Sequence, residues 1–169
     1  SFIRFCDAFS IPVLTLVNVA GFKASMEEEK SMAAVSAKLT YAYASATVPK
    51  VSVIIGKALG SAYLCMGSRH IGADLMYAWP EAQIGMMESE SAVKIIYSED
   101  IAKAEDQKAF IQEKAAAYDA FQNSPESAAS RGYVDAVILP AATRKRVIAA
   151  FDMLATKREP VMDKKHGTV

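Results

Sequence analysis

The chain alternates short apolar runs with longer segments in which apolar residues recur at helical spacing. Residues 12–19 and 51–55 are rich in Val, Ile and Leu, which predicts two buried strands, the second of them covered on both faces. Between them we expect a helix that ends near Ala46. Ser25 is placed to cap this helix, and Glu27, Glu28 and Glu29 fall in its first turn, where the helix dipole favours acids.

The remaining segments continue this alternation. The pattern predicts a helix from Ala62, strands at 75–79 and 83–86, helices at 88–97 and 100–120, a turn and strand within 132–140, and a last helix at 144–155 capped by Thr143. Residues 1–9 look like the closing turns of an amphipathic helix with no cap at its start. Alternating strands and helices predict an α/β fold with a mainly parallel sheet.

Length and composition limit the classes of function. The 169 residues are 52% hydrophobic and carry a formal net charge of zero, so bulk electrostatics do not support a nucleic acid or an anionic membrane as partner. No apolar run is long enough to span a bilayer, and no leader pattern is visible, so we expect a cytoplasmic protein. Cys6 and Cys65 lack metal-ligand spacing, so no metal site is expected and both are predicted to be reduced core thiols. No Met opens the chain; we expect one domain, 1–169, cut from a longer polypeptide.

Conventional catalytic groups are sparse. The two histidines, His70 and His166, show no partner spacing, and exposed or structurally satisfied imidazoles are the simpler interpretation. Ser61 follows a glycine after a strand, but Gly60-Ser61-Ala62 lacks the second glycine of a nucleophile elbow, so we reject that mechanism. Phosphate-binding glycine motifs are also absent from the sequence.

Paired carboxylates are equally unconvincing. Glu88 follows a predicted buried strand and is a candidate for a pocket wall, although acids at helix starts need no further explanation. The adjacent Met86 and Met87 are expected in the core.

Two glycine-containing turns, Ala20-Gly21-Phe22 and Gly60-Ser61-Ala62, each follow a predicted strand. Backbone N–H groups from two neighbouring strand–helix turns can converge on one carbonyl oxygen and stabilise a developing oxyanion. The pattern alone leaves two alternatives open, an oxyanion site or two ordinary turns.

The chain resembles the C-terminal half of the carboxyltransferase subunit of biotin-dependent acyl-CoA carboxylases and decarboxylases, which has a crotonase-like fold. The resemblance covers nearly the whole chain. Its segments are Arg4-Phe5-Cys6-Asp7-Ala8-Phe9, Ile11-Pro12, Ala20-Gly21-Phe22, Ala37-Lys38-Leu39, Tyr41-Ala42-Tyr43, Ala46-Thr47-Val48-Pro49-Lys50-Val51, Gly72-Ala73-Asp74, Tyr77-Ala78-Trp79-Pro80, Arg131-Gly132-Tyr133-Val134-Asp135, Thr143-Arg144, Thr156-Lys157-Arg158-Glu159 and Lys164-Lys165-His166-Gly167.

The resemblance implies half of an active site. The N-terminal half of such subunits holds an acyl-CoA, and the C-terminal half presents the ureido ring of carboxybiotin. By resemblance, the Ser61 and Ala62 amides after Gly60 hold the ureido oxygen, and Gly21 and Phe22 form a second wall. The cofactor implied is biotin on a partner carrier domain, and the substrate is a coenzyme A thioester.

Three departures from the family pattern affect this expectation. Asn18-Val19-Ala20 stands where the family commonly has Asp-Thr-Pro, so the turn loses an acid and a proline. Ser61 replaces a glycine, which leaves its amide in place but adds a side chain. Leu64 occupies a position associated with acyl selectivity, often Cys or Asp, so we expect an altered acyl preference.

The implied partners are the acyl-CoA half of the same polypeptide, a biotin carboxyl carrier domain, and either biotin carboxylase or membrane decarboxylase subunits. A homo-oligomer, from dimer to hexamer, is implied as well, and the isolated chain is expected to be inactive. Two alternatives stay open at this point: a crotonase-type enoyl-CoA hydratase or isomerase, and a non-catalytic half that only builds an oligomer.

Overall fold

The computed structural model describes residues 1–23 and 25–160. Its helices and strands follow one another in the order α1 (Phe2–Ala8), β1 (Val13–Val19), α2 (Met26–Ser45), β2 (Lys50–Leu59), α3 (Gly60–Leu64), β3 (Leu75–Ala78), β4 (Gln83–Gly85), α4 (Ser89–Ile96), α5 (Ser98–Lys103), α6 (Gln107–Phe121), α7 (Pro125–Ser130), β5 (Ala136–Val137) and α8 (Thr143–Leu154). Within these ranges, no helix is long and apolar enough to cross a membrane.

The sheet is parallel in every strand pair described. Its order is β1-β2-β3-β5, and β4 pairs with the last residues of β2. β3 pairs with residues 51–54 of β2, and β4 pairs with residues 57–59. The predicted parallel α/β architecture is therefore confirmed, and β2 is the central strand.

The first two strands differ in how far their side chains are buried. The first half of β2 is buried at every position, as expected for a strand covered on both faces. β1 instead alternates, because Leu14 and Leu16 are 43% and 51% exposed while the residues between them are buried. The predicted buried strand at 12–19 is therefore confirmed as a strand, but only one of its faces packs against described residues.

The N-terminal end of β2 is held by a buried ammonium group. Lys50 Nζ donates hydrogen bonds to the carbonyl oxygens of Tyr43 and Ala46 at 2.9 and 2.8 Å. These carbonyls end α2, where helical carbonyls lack partners inside the helix. Burial lowers the pKa of Lys50, and the nearby Lys157 lowers it further. The lysine therefore ties the end of α2 to the start of the central strand.

Several local predictions are confirmed. Ser25 caps α2, with its Oγ accepting from the Glu28 backbone N–H at 3.2 Å. Cys6 and Cys65 are both buried and free. The strand at 75–79 and the helix at 88–97 appear as β3 and α4, with bounds that differ by one residue.

Other local predictions are wrong. The helix predicted for 100–120 is two helices, because Ala104 is extended and Asp106 caps α6 through a 3.0 Å bond from Ala109 N–H. Thr143 does not cap α8; its hydroxyl accepts from Trp79 Nε1 at 2.9 Å. The helix after β2 begins at Gly60, two residues before the predicted Ala62.

Candidate active site

The two glycine-containing turns lie at the same edge of the sheet. β1 and β2 are parallel neighbours, and Val19 near the end of one pairs with Ala58 near the end of the other. The turn that contains Gly21 follows β1, and α3 follows β2 without a break. The topology therefore brings together the two segments that the sequence pattern selected.

Backbone conformation explains both glycines. Gly21 has φ +144°, and Gly60 has φ +63°, values that side-chain-bearing residues rarely adopt. Gly60 is also crowded, because a Cβ atom built on it would lie 3.1 Å from the Met86 carbonyl oxygen. The entry into α3 therefore requires glycine for its conformation and for its contact with residue 86.

The first turn of α3 carries the predicted donors. N–H groups in the first turn of a helix have no acceptor within that helix. The Ser61 side chain is exposed, whereas Ala62 is only 3% exposed. The exposure of Ser61 shows that its side chain points away from the packed core.

A cavity of about 670 Å³ begins at Gly60, but its described lining residues do not include Ser61, Ala62, Gly21 or Phe22. Gly60, Tyr63 and Leu64 of α3 form one part of its wall, and Met86 forms another. Leu64, predicted to influence acyl preference, is thus a wall residue of a cavity that begins at Gly60. An apolar side chain there favours an apolar group over a charged one.

Polar side chains also line the cavity. The His70 and Tyr133 rings pack with their centroids 4.7 Å apart, and Arg131 donates to Gln122 Oε1 at 2.6 Å. His70 is exposed and already packed against an aromatic ring, which agrees with its interpretation as a structural imidazole. His166 lies outside the described residues.

Glu88 lies at the surface, outside the cavity. Its Oε1 forms an ion pair with Lys57 Nζ at 2.6 Å, and the hydrogen bond and charge of that lysine lower the pKa of Glu88. Among the described residues, the cavity wall does not include Glu88. The prediction of a pocket carboxylate is not supported, because the side chain is half exposed and neutralised by a surface lysine.

Sequence reasoning missed three groups at this site. Met86, predicted in the core, is 72% exposed and lines the cavity. Asn123 also lines it and is only 2% exposed. The hydroxyl of Tyr63 is buried with no hydrogen-bond partner among the described residues, and burial raises the pKa of Tyr63 to about 12. No sequence signal marks these residues, because β4 and α6 bring two of them to α3 from 20 to 60 positions away.

Comparison with known proteins matches this chain to a protein family. The carboxyl transferase domain model matches residues 1–169. The chain is 47% identical over 169 residues to the putative propionyl-CoA carboxylase beta chain of Bacillus subtilis (strain 168). This alignment covers 99% of this chain and 33% of that protein. It is 45% identical over 167 residues to the methylmalonyl-CoA carboxyltransferase 12S subunit of Propionibacterium freudenreichii subsp. shermanii, covering 98% and 32% respectively.

Solved structures agree with the sequence comparison. A crystal structure of transcarboxylase 12S, described as a hexamer assembly with methylmalonyl-coenzyme A and methylmalonic acid bound, matches with a TM-score of 0.92 at 45% identity. That match covers 98% of this chain and 32% of the 12S chain, so the chain spans about a third of the length of such relatives. The predicted crotonase-like fold is confirmed by these neighbours. Since the domain model matches every residue and the fold matches throughout, the chain belongs to the carboxyl transferase domain family.

Proposed function

We propose that this chain forms the biotin-side half of an active site that transfers a carboxyl group between carboxybiotin and a short-chain acyl-CoA. The observation that carries the proposal is the position of the two glycine-containing turns at the carboxyl ends of the neighbouring strands β1 and β2, with a cavity of about 670 Å³ that begins at Gly60. Membership of the carboxyl transferase domain family supports the same reaction class.

The residues at this edge suit a planar ring with a polar carbonyl edge. The Ser61 and Ala62 amides would donate to the ureido oxygen, where negative charge develops during transfer. Gly21 and Phe22 would form the second wall, and Phe22 is 43% exposed at the end of β1. Bound biotin would carry the carboxyl group on its ring, while this chain would orient the ring and donate hydrogen bonds from its backbone.

Leu64 would influence which acyl group reaches the ring. Relatives with matching sequences are named for propionyl-CoA and methylmalonyl-CoA, which have small branched or unbranched acyl groups. An apolar side chain at this wall favours an acyl group that places no charge near Leu64. The acyl preference therefore follows from the shape and polarity of the wall that begins at Gly60.

The rest of the enzyme lies in other parts of the assembly. The chain spans about a third of its relatives' length, so we assign acyl-CoA binding to the remainder of the polypeptide. A biotin carboxyl carrier domain would deliver the ring, and biotin carboxylase or membrane decarboxylase subunits would set the direction of transfer. A homo-oligomer would complete the site, and the isolated chain would be inactive.

The test uses the full-length polypeptide with malonyl-CoA or methylmalonyl-CoA, with and without free biotin. Decarboxylation that depends on biotin is the expected result. Turnover of an enoyl-CoA, or assembly of an oligomer without any response to biotin, would contradict the proposal and favour a hydratase or a scaffold.

A pair of substitutions at one position tests the backbone donors. Ser61→Pro removes the amide hydrogen and is expected to lower turnover by roughly 100- to 1,000-fold. Ser61→Ala keeps the amide and removes only an exposed hydroxyl, so near-normal turnover is expected. Near-normal turnover of the proline variant would refute the donor role, and equal loss in both variants would assign the effect to the side chain.

A further inference from the structure

The segment from β4 to the start of α4, residues 83–89, forms the wall that contacts Gly60. On one side it is bonded to the central strand, with Gly85 paired to Leu59 immediately before the glycine. The Met86 carbonyl oxygen then lies against Gly60 itself. Any displacement of this segment therefore moves the residue that begins the turn bearing the proposed donors.

One carboxylate on α6 holds this segment from the opposite side. Asp119 Oδ2 accepts from Ser89 Oγ at 2.8 Å and from Gln83 Nε2 at 3.5 Å. Gln83 begins β4 and Ser89 begins α4, so Asp119 is bonded at both ends of the segment. A single charged acceptor that bridges two elements fixes their separation more firmly than two independent bonds.

The same carboxylate orients the residue that packs on the middle of the segment. Asp119 Oδ1 accepts from Asn123 Nδ2 at 2.9 Å, and the Asn123 carbonyl oxygen accepts from the Ile84 N–H at 2.8 Å. Asn123 Oδ1 lies so close to Gly85 that no Cβ atom fits there. Asn123 is buried, so its position depends on the groups bonded to it.

We infer that Asp119 is a positioning residue for carboxyl transfer, which holds the 83–89 segment so that the Met86 carbonyl fixes the Gly60 turn. The inference rests on the proposed function, because it assigns that turn a role in the reaction. Asp119 acts only through the segment, and no contact with a substrate is required of it.

The experiment compares three variants of the full-length polypeptide in the biotin-dependent assay. Asp119→Ala removes every hydrogen bond that the carboxylate accepts. It is expected to lower kcat by roughly 10- to 100-fold, because small displacements of groups around the reacting atoms are costly. KM for the acyl-CoA is expected to stay near the wild-type value, since its coenzyme A portion is assigned to the remainder of the polypeptide. Asp119→Asn keeps one carbonyl acceptor and should fall between the wild type and Asp119→Ala.

A control variant and a second measurement separate positioning from general loss of structure. Ile138→Val trims the buried core formed with Val51 and Tyr77, away from the cavity, and is expected to lower stability without changing kcat. Hydrogen–deuterium exchange of residues 83–89 is expected to speed up in both Asp119 variants and to stay unchanged in Ile138→Val.

Each outcome decides the question. Normal kcat with faster exchange, or slow turnover with unchanged exchange, would overturn the positioning role. A kcat loss matched by Ile138→Val at equal loss of stability would also overturn it. Absence of biotin-dependent turnover in the wild type would refute the proposed function and the role in it, while the exchange data would still show whether Asp119 holds the segment.

Discussion

The hydroxyl of Tyr63 offers a sharp test of the energetics of this fold. Tyr63 is 4% exposed, and within residues 1–23 and 25–160 its buried hydroxyl has no hydrogen-bond partner. A buried polar group without a partner costs about 1–3 kcal/mol, because the bond that it makes with water in the unfolded chain is lost. Tyr63→Phe keeps the ring and deletes only the oxygen, so we expect the variant to be about 1–2 kcal/mol more stable at pH 8.

The same substitution predicts a change in pH dependence. Burial raises the pKa of Tyr63 from 10.0 to about 12. The folded state thus holds the proton more tightly, so the free energy of unfolding is unaffected by Tyr63 ionisation well below pH 10 and falls as the pH rises from 10 toward 12. With these values the loss is roughly 1.4 kcal/mol at pH 11 and about 2.7 kcal/mol at its limit. The advantage of Tyr63→Phe is therefore expected to grow between pH 8 and pH 11.

The assay is urea unfolding of the full-length polypeptide with pulse proteolysis, scored on peptides from residues 51–78. Tyr133→Phe serves as the control, because Tyr133 is 38% exposed and its replacement should change stability little at either pH. A destabilised Tyr63→Phe variant would show that the hydroxyl is satisfied in the folded protein. An advantage that does not grow at pH 11 would refute the assignment of a burial-raised pKa.

Further predictions concern the two ends of β2. Lys50→Met removes the charged donor to the Tyr43 and Ala46 carbonyls and is expected to cost about 2 kcal/mol in urea unfolding, whereas equal stability would show that the desolvation of Lys50 cancels both bonds. Gly85→Ala brings a methyl group onto Asn123 Oδ1, so it is expected to displace the cavity wall and lower stability by about 1–3 kcal/mol. Unchanged hydrogen exchange across 83–89 in Gly85→Ala would contradict that contact.

The regular elements follow from local chemistry that the sequence displays. The apolar run in β2 and the Ser25 cap of α2 were predicted because strand propensity and capping depend on residues close in sequence. The break between α5 and α6 was missed because residues 100–120 are rich in good helix formers, and propensity does not show that Asp106 will cap a new helix. The exposed face of β1 was missed because a leucine has the same identity whether or not another element covers it.

Some residues of the site could likewise be selected from the sequence, and others could not. Gly21 and Gly60 could be selected from sequence, because a turn between strand and helix needs a residue that tolerates positive φ. Glu88 could not be assigned correctly, since its environment depends on Lys57, which lies 31 positions away and pairs with it across the β2–β4 edge.

The sequence by itself determined the alternation of strands and helices, the family, and the two turns at which backbone amides become available, because each depends on short-range pattern or on motif identity. Only the tertiary structure decided that the Met86 carbonyl lies against Gly60, that Asp119 is bonded to both ends of the 83–89 segment, and that the Tyr63 hydroxyl finds no partner in the part of the chain that the structure describes. These features depend on which distant side chains meet. That is a property of packing among β2, β4 and α6, which no local pattern of residues encodes.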